Sequence, residues 1–180
     1  MELIVPAISA GTLTYESTSS SYPHFTLDVS SDELSTADGS LIYRLDDWRN
    51  VTEIVAGDWR GTASPHNGDL PQEPMRVGLS WTLTYEMDST GASYTRDRDC
   101  IVEERGQITV AAGTFHNAWL IKCTLKRHDR RLPKYVETWF SSTGRILILR
   151  NETWGGSNPG SYRRELVGLS DDVLAIISGQ

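Results

Sequence analysis

The stretch from Cys100 to Cys123 most constrains what this chain can fold into, because its pattern is typical of one long β-hairpin that turns at residues 111–113. If the turn centres on Ala111 and Ala112, paired residue numbers sum to 223, and Cys100 lies opposite Cys123. The same register pairs further apolar residues, namely Val102 with Ile121 and Ile108 with Phe115. All of them share one strand parity and therefore point to one face of a sheet.

One residue departs from this pattern. In the same register Glu104 would lie opposite Trp119 on the apolar face. Gly106 is close by, and a glycine inside a strand often marks a β-bulge. We therefore expect a bulge that turns the carboxylate of Glu104 outward and shifts the pairing register.

The two cysteines, placed opposite each other in the hairpin, favour a disulfide bond. A cross-link over this loop would stabilise the fold by about 3 kcal/mol and would imply an oxidising compartment. The alternative is a pair of reduced, buried thiols in a cytosolic protein. The opening residues MELIVPAISAGT lack the basic start of a secretory signal, so the disulfide interpretation also predicts that an export signal has been removed.

The remaining segments predict an all-β fold with short strands at regular spacing. The clearest is 77–87, where apolar and polar residues alternate almost strictly. We expect one domain over 1–180: uncertain N-terminal strands in 1–60, a surface loop at 61–74, a core sheet in 75–169 and a short helix at 170–178 with a serine N-cap. Residues 30–40 are predicted as a turn. The expected architecture is a curved antiparallel sheet or unclosed β-barrel with a long central hairpin.

Composition and motifs argue against several classes of function. The 17 basic and 24 acidic side chains give a net charge of −7, which disfavours nucleic acid or an anionic membrane as partner. No apolar run reaches the ~18 residues of a membrane span. The histidines and cysteines lack metal-ligand spacing, and no nucleophile or phosphate-binding motif is present. No catalytic residue, metal site or cofactor is therefore predicted.

Three groups of residues are candidates for binding or catalysis. A carboxylate pair on strands could hydrolyse a glycan, although carboxylates on outward faces are more often only solvated; these residues are Glu103, Glu104, Glu137 and Glu152. A basic run could bind an anion, although a solvated loop is the commoner outcome; it consists of Lys126, Arg127, Arg130 and Arg131. Tryptophans beside loops or strand ends could contact a ligand; these are Trp48, Trp59 and Trp154.

The order of several short motifs resembles a group of uncharacterised exported bacterial β-proteins, a domain of unknown function. The motifs are VGLSW (77–81), Cys100, ITVAAGTF (108–115), Cys123, ETWFSSTGRI (137–146) and REL (164–166). The resemblance spans about residues 70–168, with Ala111 where a proline is common in the group. It implies a periplasmic, cell-envelope or secreted location, an unclosed β-barrel and a Cys100–Cys123 bond, but no activity.

The leading hypothesis is a non-enzymatic, extracytoplasmic β-domain that binds a hydrophobic small molecule, a glycan or a protein partner. One rival is a hydrolase that acts on glycans through strand carboxylates. Another is a structural subunit that assembles through exposed edge strands.

Overall fold

The computed structural model describes residues 10–143 and 145–178, which form twelve antiparallel strands and one helix. The strands are β1 (Thr12–Ser17), β2 (His24–Val29), β3 (Glu33–Ser35), β4 (Leu41–Leu45), β5 (Val51–Ala56), β6 (Trp59–Ser64), β7 (Ser80–Ser89), β8 (Ala92–Val110), β9 (Gly113–Arg127), β10 (Lys134–Phe140), β11 (Leu147–Trp154) and β12 (Gly160–Leu169), and the helix is α1 (Asp171–Ser178). Residues 1–9, on which the expectation about an export signal rests, lie outside the described residues. No described helix is long and apolar enough to cross a bilayer.

The strands form a closed barrel, so the expected curved sheet or unclosed barrel is wrong. Each strand pairs with its neighbours along the chain, and β1 also pairs with β12. Leu13, for example, lies opposite Leu27 on β2 and opposite Leu169 on β12. Closure depends on this contact between the two ends of the chain, which a local alternation pattern does not encode.

Two strands were not predicted, and both help to complete the barrel. β3 occupies part of the segment 30–40 that was predicted as a turn, and β6 runs into the predicted surface loop at 61–74. The rest of that loop is not confined to the surface, because His66 and Leu70 are only 8% and 1% exposed. Prolines and glycines prevent a strand here, but they do not prevent the segment from burying side chains.

The central hairpin forms as predicted. Cys100 pairs with Cys123 on β8 and β9, and the two residues form a disulfide bond with their Cα atoms 4.1 Å apart. The other two predicted pairs, Val102–Ile121 and Ile108–Phe115, are also present. Between them the register shifts, so that Glu104 faces Leu120 and is exposed, which confirms the predicted bulge.

The segment 65–79, which joins β6 to β7, fills part of the barrel interior. Leu70 and Leu79 are buried in one apolar cluster with Val102, Ile121 and Val136 of β8, β9 and β10. The alternation of β8–β10 places these strand residues on the inner face. The connection therefore acts as part of the core and leaves the interior beside the N-terminal strands less filled.

Helix α1 packs against the first strand. Val173 is fully buried in the same cluster as Leu13. Ser170 lies at the predicted N-cap position, and its carbonyl accepts the Leu174 N–H at 3.0 Å. Its hydroxyl, however, accepts the N–H of Thr12 at 3.0 Å, so this side chain links the helix to β1.

Candidate binding site in the barrel interior

A cavity of about 490 Å³ lies inside the barrel beside the N-terminal strands. Strand alternation brings apolar side chains from six strands to its wall. These are Leu13, Leu27, Leu34, Leu41, Ile54 and Leu147. Tyr15 also lines the wall, and its phenol donates to the carbonyl of Leu147 at 2.9 Å. Burial raises the pKa of this phenol, so it stays neutral.

The cavity wall also carries charge, and the sign is opposite to that of the whole chain. Five cationic and two anionic side chains line it, an excess of three positive charges, while the protein as a whole carries −7. The cations are Arg49, Lys134, Arg145, Arg150 and Arg164, and the anions are Asp69 and Glu152. The site therefore combines an apolar surface with a positive potential.

An ion-pair network connects the 65–79 segment to the barrel wall. Asp69 accepts hydrogen bonds from Arg98 of β8 and from Arg150 of β11, the latter at 3.0 Å. Arg150 also donates through Nε to Glu152 at 2.7 Å, and Lys134 Nζ donates to Glu152 at 2.7 Å. Arg98 is 2% exposed, so its charge depends on Asp69 for compensation.

The same network controls the ionisation of Glu152. Burial raises the pKa of this carboxyl, but the charges and hydrogen bonds of Arg150 and Lys134 outweigh burial and bring the pKa to about 2. Glu152 is therefore ionised at neutral pH. A glycan hydrolase needs a carboxylic acid that is still protonated, and Glu152 does not meet that requirement.

We predict that Glu152 contributes to acid sensitivity. Its folded-state pKa of about 2 lies below the ordinary value of 4.5, so its stabilisation is present above pH 4.5 and is lost as pH falls toward 2. In Glu152→Gln, a plot of the free energy of unfolding against pH should be flatter than the wild-type plot in that window. Glu137→Gln, which removes an exposed carboxylate on β10, should retain the wild-type slope. Parallel plots for Glu152→Gln and wild type would contradict the prediction.

Two of the cavity arginines hold loops through backbone carbonyls. Arg145 donates to the carbonyls of Pro71 at 2.8 Å and Glu73 at 3.2 Å, which holds the middle of the 65–79 segment. Arg49 donates to Ser30 at 3.1 Å and to Ser31 at 2.9 Å, before β3. These carbonyls satisfy hydrogen bonds without neutralising either charge.

Arg164 of β12 has a different environment from the other cavity cations. Its Nε donates to the phenol oxygen of Tyr162 at 2.7 Å, and its Nη2 donates to that of Tyr43 at 2.8 Å. The guanidinium carbon lies 5.2 Å from the ring centroid of Phe25. Burial lowers the pKa of Arg164, but the two phenol oxygens raise it and the net direction is upward. The guanidinium is therefore held rigidly and fully charged at the cavity wall.

The predicted contact residues do not gather in one place. Trp154 lines the cavity. The Trp48 ring centroid lies 5.0 Å from the guanidinium carbon of Arg145. Trp59 is 38% exposed, and its ring lies over Gly61. Of the four candidate carboxylates, Glu152 is the one that lines the cavity. Lys122 bridges Glu103 and Glu137 at 3.5 and 3.8 Å on the exposed face.

The basic run lies largely on the exposed surface. Arg127 forms an ion pair with Asp129 at 2.6 Å, and Arg130 and Arg131 are exposed. In residues 10–143 and 145–178, no group of three or more His, Cys, Asp or Glu side chains is placed to hold a metal ion.

Sequence analysis missed most of the polar cavity wall, although a signal was present. Arg164 shares strand parity with the buried Leu166, and Arg98, which pairs with the cavity residue Asp69, shares it with Cys100 and Val102. Such placement puts a charged side chain on the inner face of a barrel. Asp69 carried no comparable signal, because it lies in a segment without strand periodicity.

Comparison with known proteins adds little to these observations. No family model matches the chain, and no curated protein matches it. Among solved structures, the chain is similar to a "putative lipoprotein" from Parabacteroides distasonis ATCC 8503, at 10% sequence identity and a TM-score of 0.48. The match covers 93% of this chain and 98% of that one. At this TM-score the likeness supports no assignment, and the resemblance to exported bacterial β-proteins stays a prediction.

Proposed function

We propose that this protein is a non-enzymatic, extracytoplasmic binding protein that holds a lipid-like molecule inside its barrel. The cavity of about 490 Å³ with its apolar wall carries the proposal. Its volume lies within the roughly 300–1,000 Å³ of small-molecule sites, which are mostly apolar with a few placed polar groups. Closed barrels larger than eight strands have room for such an interior.

The disulfide supports the extracytoplasmic part of the proposal. Cys100 and Cys123 are bonded and buried, at 5% and 6% exposure. Disulfides persist in oxidising compartments and are rare in the cytosol. A periplasmic, cell-envelope or secreted location agrees with this bond.

The rival hypotheses receive less support. The pKa of Glu152 is about 2, so this carboxyl is ionised at neutral pH, and Asp69 is ion-paired to two arginines. Neither interior carboxylate therefore suits acid catalysis. Assembly through edge strands requires unpaired strands, whereas each strand of the described barrel has two partners.

A neutral apolar probe tests the proposal directly. N-phenyl-1-naphthylamine should fluoresce more strongly with the wild-type protein as it enters the cavity. Ile54→Trp places a larger side chain in the wall and should weaken binding by at least about tenfold, or 1.4 kcal/mol. Val77→Trp is the matched control, because Val77 is 58% exposed and does not line the cavity.

Two results would contradict cavity binding. One is a wild-type protein that does not enhance probe fluorescence. The other is an Ile54→Trp variant that retains the wild-type thermal unfolding midpoint and the wild-type probe affinity. Native mass spectrometry of protein purified from its host provides a second readout, since a bound molecule should add mass that disappears on unfolding.

A further inference from the structure

Arg164, Tyr43 and Tyr162 present hydrogen-bond donors to the cavity that the protein itself does not use. The guanidinium has five N–H groups, and two of them bind the phenol oxygens. Each phenol accepts one of these bonds and keeps its own O–H as a donor. Across the described ranges, neither phenol donates to a protein acceptor. Three N–H groups and two O–H groups are therefore available in one part of the wall.

The charge of Arg164 is also left without a counter-ion by the described residues. No carboxylate there is in ion-pair contact with Arg164, whereas Arg150 pairs with both Asp69 and Glu152. Arg150 and Arg164 lie directly opposite each other on β11 and β12, and both line the cavity. Asp69 and Glu152 compensate Arg150, so the charge at this pair of opposed positions that lacks an anion among the described residues is that of Arg164.

We propose that the bound molecule is an amphiphile with an apolar chain and an oxyanion head, a carboxylate or phosphate, and that the head binds at Arg164, Tyr43 and Tyr162. This inference rests on the proposed cavity binding and specifies its ligand class. The excess of positive charge in the wall has the sign that such a head requires.

The geometry of the three side chains suits an oxyanion. Both N–H groups of Nη1 and the second N–H of Nη2 remain to donate charge-assisted hydrogen bonds to a carboxylate or phosphate. The two phenols, which accept bonds from Nε and Nη2, add two O–H donors beside the guanidinium. The chain of the ligand then lies along the apolar wall formed by Leu27, Leu41 and Ile54. Burial of that chain supplies affinity, and the head supplies selectivity.

A series of ligands with one chain length and different heads tests the inference. Dodecanoate, dodecyl phosphate, dodecanol and dodecyltrimethylammonium would displace N-phenyl-1-naphthylamine, each charged ligand below its critical micelle concentration and dodecanol below its solubility limit. We expect each anion to bind at least about tenfold more tightly than dodecanol, the range of a charge-assisted hydrogen bond. The cationic amphiphile should bind more weakly than dodecanol. The ratio between the two anions identifies which head the site favours.

Arg164→Met should abolish the preference for anions and retain the affinity for dodecanol, which also shows that the cavity is intact. Arg163→Met is the matched control, because Arg163 lies on the exposed face of the same strand and should leave the preference unchanged. The double variant Tyr43→Phe/Tyr162→Phe removes only two oxygens. It should reduce the preference by about threefold or more even if Arg164→Met does not fold.

The outcomes separate this inference from the proposed function. If all four ligands bind equally, or if the anion preference survives Arg164→Met, the oxyanion site is wrong while cavity binding stands. If neither the probe nor any ligand binds the folded wild-type protein, cavity binding itself is wrong.

Discussion

Replacing Asp69 with asparagine should lower the free energy of unfolding by about 3–5 kcal/mol, the cost of removing one partner from a buried ion pair. Arg98 is 2% exposed and its Nε has no hydrogen-bond partner among the described residues, so little else compensates its charge. Burial, with the nearby charge of Arg150, already lowers the pKa of Arg98 well below the ordinary arginine value. Urea unfolding followed by tryptophan fluorescence would measure the loss.

Two further variants make the Asp69 result specific. Asp88→Asn removes an exposed carboxylate on β7 and should change stability by less than about 0.5 kcal/mol. Asp69→Asn/Arg98→Met removes both charges and should be less destabilised than the sum of the single variants. A loss below about 1 kcal/mol in Asp69→Asn would show that water or another group compensates Arg98.

Reducing the Cys100–Cys123 bond should also have a large effect. The two cysteines are 23 residues apart, and cross-linking a loop of that length stabilises by about 3 kcal/mol in the chain-entropy model. For a chain of 180 residues this corresponds to a fall in the thermal unfolding midpoint of roughly 6–12 °C. Calorimetry with and without reductant would measure the change.

The matched control for reduction is Cys100→Ala/Cys123→Ala. Its midpoint should lie near that of the reduced wild type and should not respond to reductant. Mass spectrometry of the wild-type protein should show a mass gain of two hydrogen atoms on reduction, one for each thiol. Free thiols in air-exposed protein would overturn both the disulfide and the main support for an extracytoplasmic location.

The fold could be predicted where the signal was local. Alternation along β7, β8 and β9 identified strands with one buried face, and a turn centred on Ala111 and Ala112 predicted the pairing of Cys100 with Cys123 that the structure contains. β3 could not be found this way, because three residues are too few to show a period and its neighbours are turn-forming. Barrel closure could not be found either, since it depends on pairing between β1 and β12.

The candidate site was predictable only in part. Glu152 and Trp154 were singled out from sequence, and both line the cavity. Glu152 was considered as a catalytic carboxylate, whereas its two cationic neighbours hold it ionised. The residues that define the polar wall come from distant parts of the chain, as with Tyr43 and Arg164, which are 121 positions apart.

The hairpin from Cys100 to Cys123 and the bulge at Glu104 were determined by the sequence alone, because strand parity and turn position are properties of neighbouring residues. The tertiary structure decided the rest. Closing the barrel brought β12 beside β1 and left an interior that the 65–79 segment fills only in part. Whether a charged side chain on an inner face meets a counter-ion or an open cavity depends on such long-range packing. Arg150 forms an ion pair with Asp69, whereas the guanidinium of Arg164 lies at the cavity wall.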